Sequence, residues 1–170
     1  MKASELSATD LLHPGFGFMG VPWAVSAKGA KAAILGVPFD CGTHAFRIGS
    51  REGPRSIREQ SRLVRAFESD RADYDLRAAV GLVDCGDVDV TPSRIEEAFE
   101  RIEEAAWRIA SDGATVVGFG GDGSISVPLV RAAARIWPNL CVLHVDSHTD
   151  CHPVNPDHPY DAASQFSHVA

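Results

Sequence analysis

The sequence predicts an α/β fold with a mostly parallel sheet, and three observations carry that reading. Short continuous apolar runs recur along the chain, as strands buried on both faces require. Segments with helical periodicity lie between them. Polar, glycine-rich loops follow the runs, at the carboxyl ends of strands where open α/β sheets hold their ligands.

Residues 1–30 are mixed and glycine-rich, with turn signals at His13-Pro14-Gly15 and Val21-Pro22, and read as an irregular leader to a single domain spanning 1–170. "AAILGV", Ala32 to Val37, is the first strand, ended by Pro38. A polar loop follows, and a helix starts near Pro54, where proline is tolerated in the first turn, continuing through "RSIREQSRLVRAF". "AAVGLVDCGDV", Ala78 to Val88, reads as the second strand. Ser93 and Glu96 fit a capping box for the next helix, with Thr91-Pro92 as another start. Ile95, Phe99, Ile102, Ala106 and Ile109 fall on one face of it, and "SDG" at 111–113 ends it. "ATVVGFG" is the third strand, "SISVPLVRAAARIW" the last helix, and "LCVLHVD", Leu140 to Asp146, the fourth strand. A tail rich in Pro, Asp and His closes the chain.

Composition bounds the function. Over 170 residues, 45% hydrophobic and 23% charged content describes an ordinary globular protein with a sizeable core. A net charge of −7 without a basic tract argues against nucleic acid and suits a cationic ligand. No run approaches a membrane span and the first residues lack a signal-type apolar core, so the expected location is the cytoplasm. Cys41, Cys85, Cys141 and Cys151 have no close pairing, and Cys85 and Cys141 sit in or beside apolar runs. They read as small buried hydrophobes in a reducing compartment.

The chemistry concentrates in the loops. Asp146, His148 and Asp150 alternate directly after an apolar run, so an extended backbone would project all three to one side. Two carboxylates and an imidazole suit a hard or borderline divalent ion such as Mn²⁺. A solvated acidic turn is the equal alternative from spacing alone. Gly120-Gly121-Asp122-Gly123-Ser124 fits neither a dinucleotide loop nor a P-loop, which needs a lysine. Its glycines permit close backbone approach, and Asp122 either orients a metal ligand or caps the following helix. His144, inside the apolar run, reads as a satisfied core residue. His152 could still face the site, His158 reads as loop, and His168 is a candidate acid/base. Arg47, Arg51 and Arg55 hold their loop through carboxylate pairs on the structural reading.

These pieces together resemble the ureohydrolases: arginases, agmatinases and related guanidino-compound hydrolases. "ILGVPFDCGTHAFRIGSREGPRSIREQS" is similar to the family's G-V-P-x-D, G-x-R-x-G-P and I-R-x-x-S elements. "GFGGDGS" is similar to its G-G-D-H-S, "HVDSHTD" to its D-A-H-x-D, and "QFSHVA" to a later segment with a Ser-His or similar pair. The resemblance runs from about residue 16 to the end. It implies a three-layer α/β/α fold and a binuclear manganese centre, nickel in some members. Asp146 would bridge the ions, with His148 on one and Asp150 on the other. Asp150 and His168 would serve catalysis, His168 as proton shuttle or substrate-positioning group, and His152 would contact substrate. A small cationic guanidino compound would be hydrolysed to urea, with a slight tilt toward agmatine-like substrates.

Two departures follow from the same comparison. Gly123 stands where the resemblance places a ligand histidine, so one ion loses an imidazole and the centre is reduced toward a single ion. The family also continues beyond the length read here, with an Asp-x-Asp pair that completes both ions. The expectation is a chain completed by a complementary C-terminal segment or a second chain, in a homo- or hetero-oligomer. The alternative is a metal-deficient, non-catalytic subunit of such a complex.

Overall fold

A computed structural model describes residues 2–13, 17–40, 48–64 and 74–169. In chain order the elements are α1 (Ala8–Leu11), β1 (Leu12–His13), β2 (Ala32–Gly36), α2 (Gly53–Ser61), α3 (Leu76–Val80), β3 (Leu82–Val88), α4 (Ile95–Ser111), β4 (Thr115–Phe119) and α5 (Ser126–Ala134). The sheet order is β1-β3-β2-β4. β2 lies parallel to β3 on one side and to β4 on the other, while β1 joins β3 antiparallel. The α/β fold with a mostly parallel sheet is therefore as the sequence predicts.

Strand β2 is central, and every residue in it is buried. Alternation sends Ala33 and Leu35 into a core with Phe99, Ile102, Ala106 and Ile109 of α4 and Val127 of α5. Phe119, at the end of β4, instead meets Phe18 edge-on and the Arg58 guanidinium of α2. Helices thus cover both faces of the sheet. The apolar face of α4 is the one its periodicity gives.

Four elements differ from the sequence reading. The leader is not wholly irregular: Ser7 caps α1 and residues 12–13 form the antiparallel edge. Ala78 to Val80 belong to helix α3, because the Asp75 carboxylate caps its start and Gly81, left-handed at φ 59°, ends it before β3 begins. The capping box at Ser93 does not form. Arg94 N–H donates to Thr91 C=O in a turn, which leaves Ser93 one residue short of the helix. Most consequential, residues 140–146 form no strand. Leu143 and Val145 are 89% and 88% exposed. The segment instead lines an open cleft together with Leu129, Val130 and Ala133 of α5. An apolar run becomes a buried strand only where a ladder partner and covering layers exist, and among the described residues nothing pairs with the outer side of β4. The tract carrying Phe67 lies outside the described residues; within them the second helix ends at Ser61.

Cys85 is buried as expected, whereas Cys141 and Cys151 are exposed. Cys141 is exposed because the strand that would have buried it is not formed. Cys41 and Arg47 lie outside the described residues.

Candidate metal centre

Two loops meet at the carboxyl end of the parallel strands. After β2 the chain passes through Val37 and Phe39, whose carbonyls accept from Gly121 N–H at 3.2 Å and Asp122 N–H at 3.1 Å. The approach is close because the glycines carry no side chain: a Cβ on Gly121 would lie 1.9 Å from the Phe39 oxygen. Asp122 then caps a short 3₁₀ turn, Gly123–Ile125, accepting from Ser124 N–H at 3.0 Å, and the chain continues into α5. Capping, one of the two roles read from sequence, is thus made. Asp40 anchors the neighbouring loop by accepting from Gly49 N–H at 2.7 Å and Arg51 N–H at 2.9 Å, and pairs with the Arg51 guanidinium. Arg55 pairs with Glu59.

Residues 144–150 gather the titratable groups. His144, Asp146 and Asp150 each present a ligand atom within 4.8 Å of the others. His144 Nε2 lies 3.6 Å from Asp150 Oδ2 and 3.2 Å from the His148 carbonyl, and its ring meets Phe166 edge-on at 4.5 Å. His144 is therefore not a core residue. It carries the same even spacing as 146, 148 and 150, which is the signal that could have found it. His148 stands apart, its side chain 77% exposed, with Nδ1 3.3 Å from Asp146 Oδ1. The backbone explains the difference. His148 N–H donates to Asp146 Oδ1 at 2.9 Å, closing a turn, and Asp150 adopts φ 49°. A turned backbone no longer sends alternate side chains to one side. That same His148 N–H holds the Asp146 carboxyl below the usual carboxylate range against partial burial, with help from the His148 ring.

Asp150 is fixed from the tail. Gln165 Nε2 donates to its Oδ2 at 2.7 Å, and Phe166 N–H donates to its carbonyl at 3.1 Å. Gln165 lies in the QFSHVA stretch, but no spacing marked it as a partner of Asp150. It comes from a 3₁₀ segment, Ala162–His168, started by the Asp161 side chain accepting from Ala163 N–H. The segment docks on α4 through a chain of rings: Phe39 with Phe99, Phe99 with Tyr160, and Tyr160 stacked on His168. His168 Nε2 also faces the Pro159 carbonyl. These contacts set His168 against Tyr160 and Pro159 rather than against the carboxylates. His152 is exposed. Its N–H donates to Ala163 C=O at 3.1 Å and its carbonyl accepts from Ser167 Oγ at 2.8 Å, so its backbone ties the loop to the tail. Gly123 faces the Gln165 amide.

Carboxylate oxygen and imidazole nitrogen fit a hard or borderline divalent ion. The profile of the Arginase family matches residues 30–170. The chain belongs to the arginase family. It is 33% identical over 164 residues to an agmatinase of Photorhabdus laumondii, covering 94% of this chain and 52% of that protein. An agmatinase of Serratia proteamaculans is 32% identical, over 96% of this chain and 53% of its own. Among solved structures, proclavaminate amidino hydrolase from Streptomyces clavuligerus superposes with a TM-score of 0.81 at 29% identity, over 92% of this chain and 52% of that one. A Trypanosoma cruzi formiminoglutamase solved with Mn²⁺ gives 0.72 at 30% identity, over 82% and 47%. The chain spans about half the length of the curated arginase-family relatives it matches. No helix among the described residues is long and apolar enough to cross a membrane.

Proposed function

We propose that the chain contributes to metal-dependent hydrolysis of a guanidino compound, agmatine-like in class, with release of urea. The observation that carries this is the convergence of His144, Asp146 and Asp150 at the strand ends of an arginase-family fold. Asp146, Asp150 and an imidazole from His144 or His148 would hold a manganese ion, with nickel as the alternative. Such an ion supplies Lewis acidity and brings the pKa of water toward neutrality.

The reaction balances without redox chemistry: R–NH–C(NH₂)₂⁺ plus water gives R–NH₃⁺ and urea. The net charge of −7 favours approach of the cation. Gln165 keeps Asp150 oriented by donating to it. His168 is proposed as proton carrier. With Nε2 facing the Pro159 carbonyl, Nε2 bears the hydrogen and Nδ1 is left as the ring's acceptor. His152 is proposed to line the substrate's approach. A complementary segment or second chain, seated along the free side of β4, is proposed to complete the site.

Urea release from agmatine, arginine and smaller guanidino compounds, assayed with Mn²⁺ or Ni²⁺, tests the proposal. Turnover abolished by Asp146→Asn and Asp150→Asn supports it; metal-independent turnover overturns it. Gly123 favours a second reading, a metal-deficient non-catalytic subunit, because the loop after β4 offers no side-chain donor there. Turnover only when a second protein of the family is added supports that reading.

A further inference from the structure

Gly123 and Gln165 are partners in shape. A Cβ placed on Gly123 would lie 3.1 Å from both Gln165 Nε2 and Oε1, so the amide sits where a longer residue at 123 would have projected. Gln165 is 3% exposed. Its orientation is fixed chemically. The nitrogen is the amide's only donor and it faces Asp150 Oδ2 at 2.7 Å, so the oxygen takes the other position. That leaves Gln165 Oε1 as a buried acceptor with no hydrogen-bond partner among the described residues. Buried polar oxygens are almost always satisfied.

The neighbourhood suggests what would satisfy this one. His144, Asp146 and Asp150 each present a ligand atom within 4.8 Å of the others, and Gln165 is tied to that group through its bond to Asp150. An acceptor without a partner, on a side chain bonded to one of three gathered ligand groups, suits a cation, and an uncharged amide oxygen is an ordinary ligand for Mn²⁺. We infer that Gln165 serves as a metal ligand through Oε1, supplying from the tail the donor that Gly123 cannot supply from the loop, while its Nε2 holds Asp150. This rests on the metal site proposed above. It implies that glycine at 123 is compensated, so the site keeps its ion.

The test is Mn²⁺ binding to the full chain, followed by calorimetry and by the Mn²⁺ electron paramagnetic resonance spectrum. Thermal melts in chelator monitor the fold. Gln165→Leu should weaken Mn²⁺ binding by about tenfold or more, the range expected when a group organising a metal site is lost, with little change in the chelator melt. Gln165→Glu keeps an oxygen donor and adds charge. It should bind Mn²⁺ at least as tightly as the parent and show a larger rise in melting temperature on adding metal. If Gln165→Leu misfolds, the Glu variant decides alone, and binding weakened by it overturns the inference. Equal Mn²⁺ affinity in parent and Gln165→Leu removes Gln165 from the ligand set while leaving the metal site intact, provided Asp150→Asn still abolishes binding. Absence of Mn²⁺ binding in the parent overturns both the site and this inference.

Discussion

Arg58 of α2 and Asp84 of β3 are joined by two N–H···O bonds of 2.8 Å each, with side chains only 2% and 1% exposed. A third nitrogen of the same guanidinium pairs with Asp87 at 2.5 Å, and the Gly86 carbonyl accepts at 3.0 Å. Removing one member leaves a buried charge unpaired, which costs about 3–5 kcal/mol. Arg58→Met should therefore lower stability by that order in urea unfolding. Asp87→Asn, at the more open side, should cost clearly less. Equal costs would mean the pair at Asp84 is not the desolvated one.

Gly121 and Gly123, in the loop after β4, should differ in how much alanine costs. At Gly121 the new methyl would meet the backbone oxygen of Phe39, which is held in the loop and cannot yield. Overpacking of this kind costs about 1–3 kcal/mol. At Gly123 the nearest atoms are those of the Gln165 amide at 3.1 Å, which need give only a few tenths of an ångström, so Gly123→Ala should cost under about 1 kcal/mol. Thermal denaturation of the two variants gives the comparison.

Thiol reactivity should separate the cysteines. Burial, with smaller contributions from the charges of Asp84 and Asp112, pushes the Cys85 thiol up to about 11. Cys141 and Cys151 are exposed. At pH 8, iodoacetamide followed by peptide mass spectrometry should label Cys141 and Cys151 and leave Cys85 unmodified until denaturant is added. Prompt labelling of Cys85 in the folded protein would contradict its placement under α4.

Asp40 should make stability fall on acidification. Burial opposes its charge, but hydrogen bonds from the Arg51 side chain and from the Arg51 and Gly49 N–H groups outweigh burial and lower its pKa. A carboxyl lowered in the folded state stabilises fully above the unfolded value of about 3.9 and loses that contribution as pH falls through the folded value. Asp40→Asn should cost about 1.5–3 kcal/mol at pH 7, the range for hydrogen bonds to a charged group. The gap to the parent should narrow below about pH 4, as melts across pH will report.

The features legible in the residues alone are local. Ala32–Gly36 and Thr115–Phe119 read as strands because they are short apolar runs between breakers, and α4 reads as a helix because Phe99, Ile102, Ala106 and Ile109 repeat at its period. Asp146, His148 and Asp150 were marked as one set by the same kind of local spacing. Tertiary structure decided the rest. Residues 140–146 share the composition of the true strands, yet a strand needs a ladder partner, and composition cannot supply one. His144 joined the carboxylates and His148 turned outward because a turn at Asp146 and a positive φ at Asp150 broke the alternation. Gln165 reached Asp150 across 15 residues because stacked rings docked the tail on α4, a convergence of distant segments that no local pattern encodes.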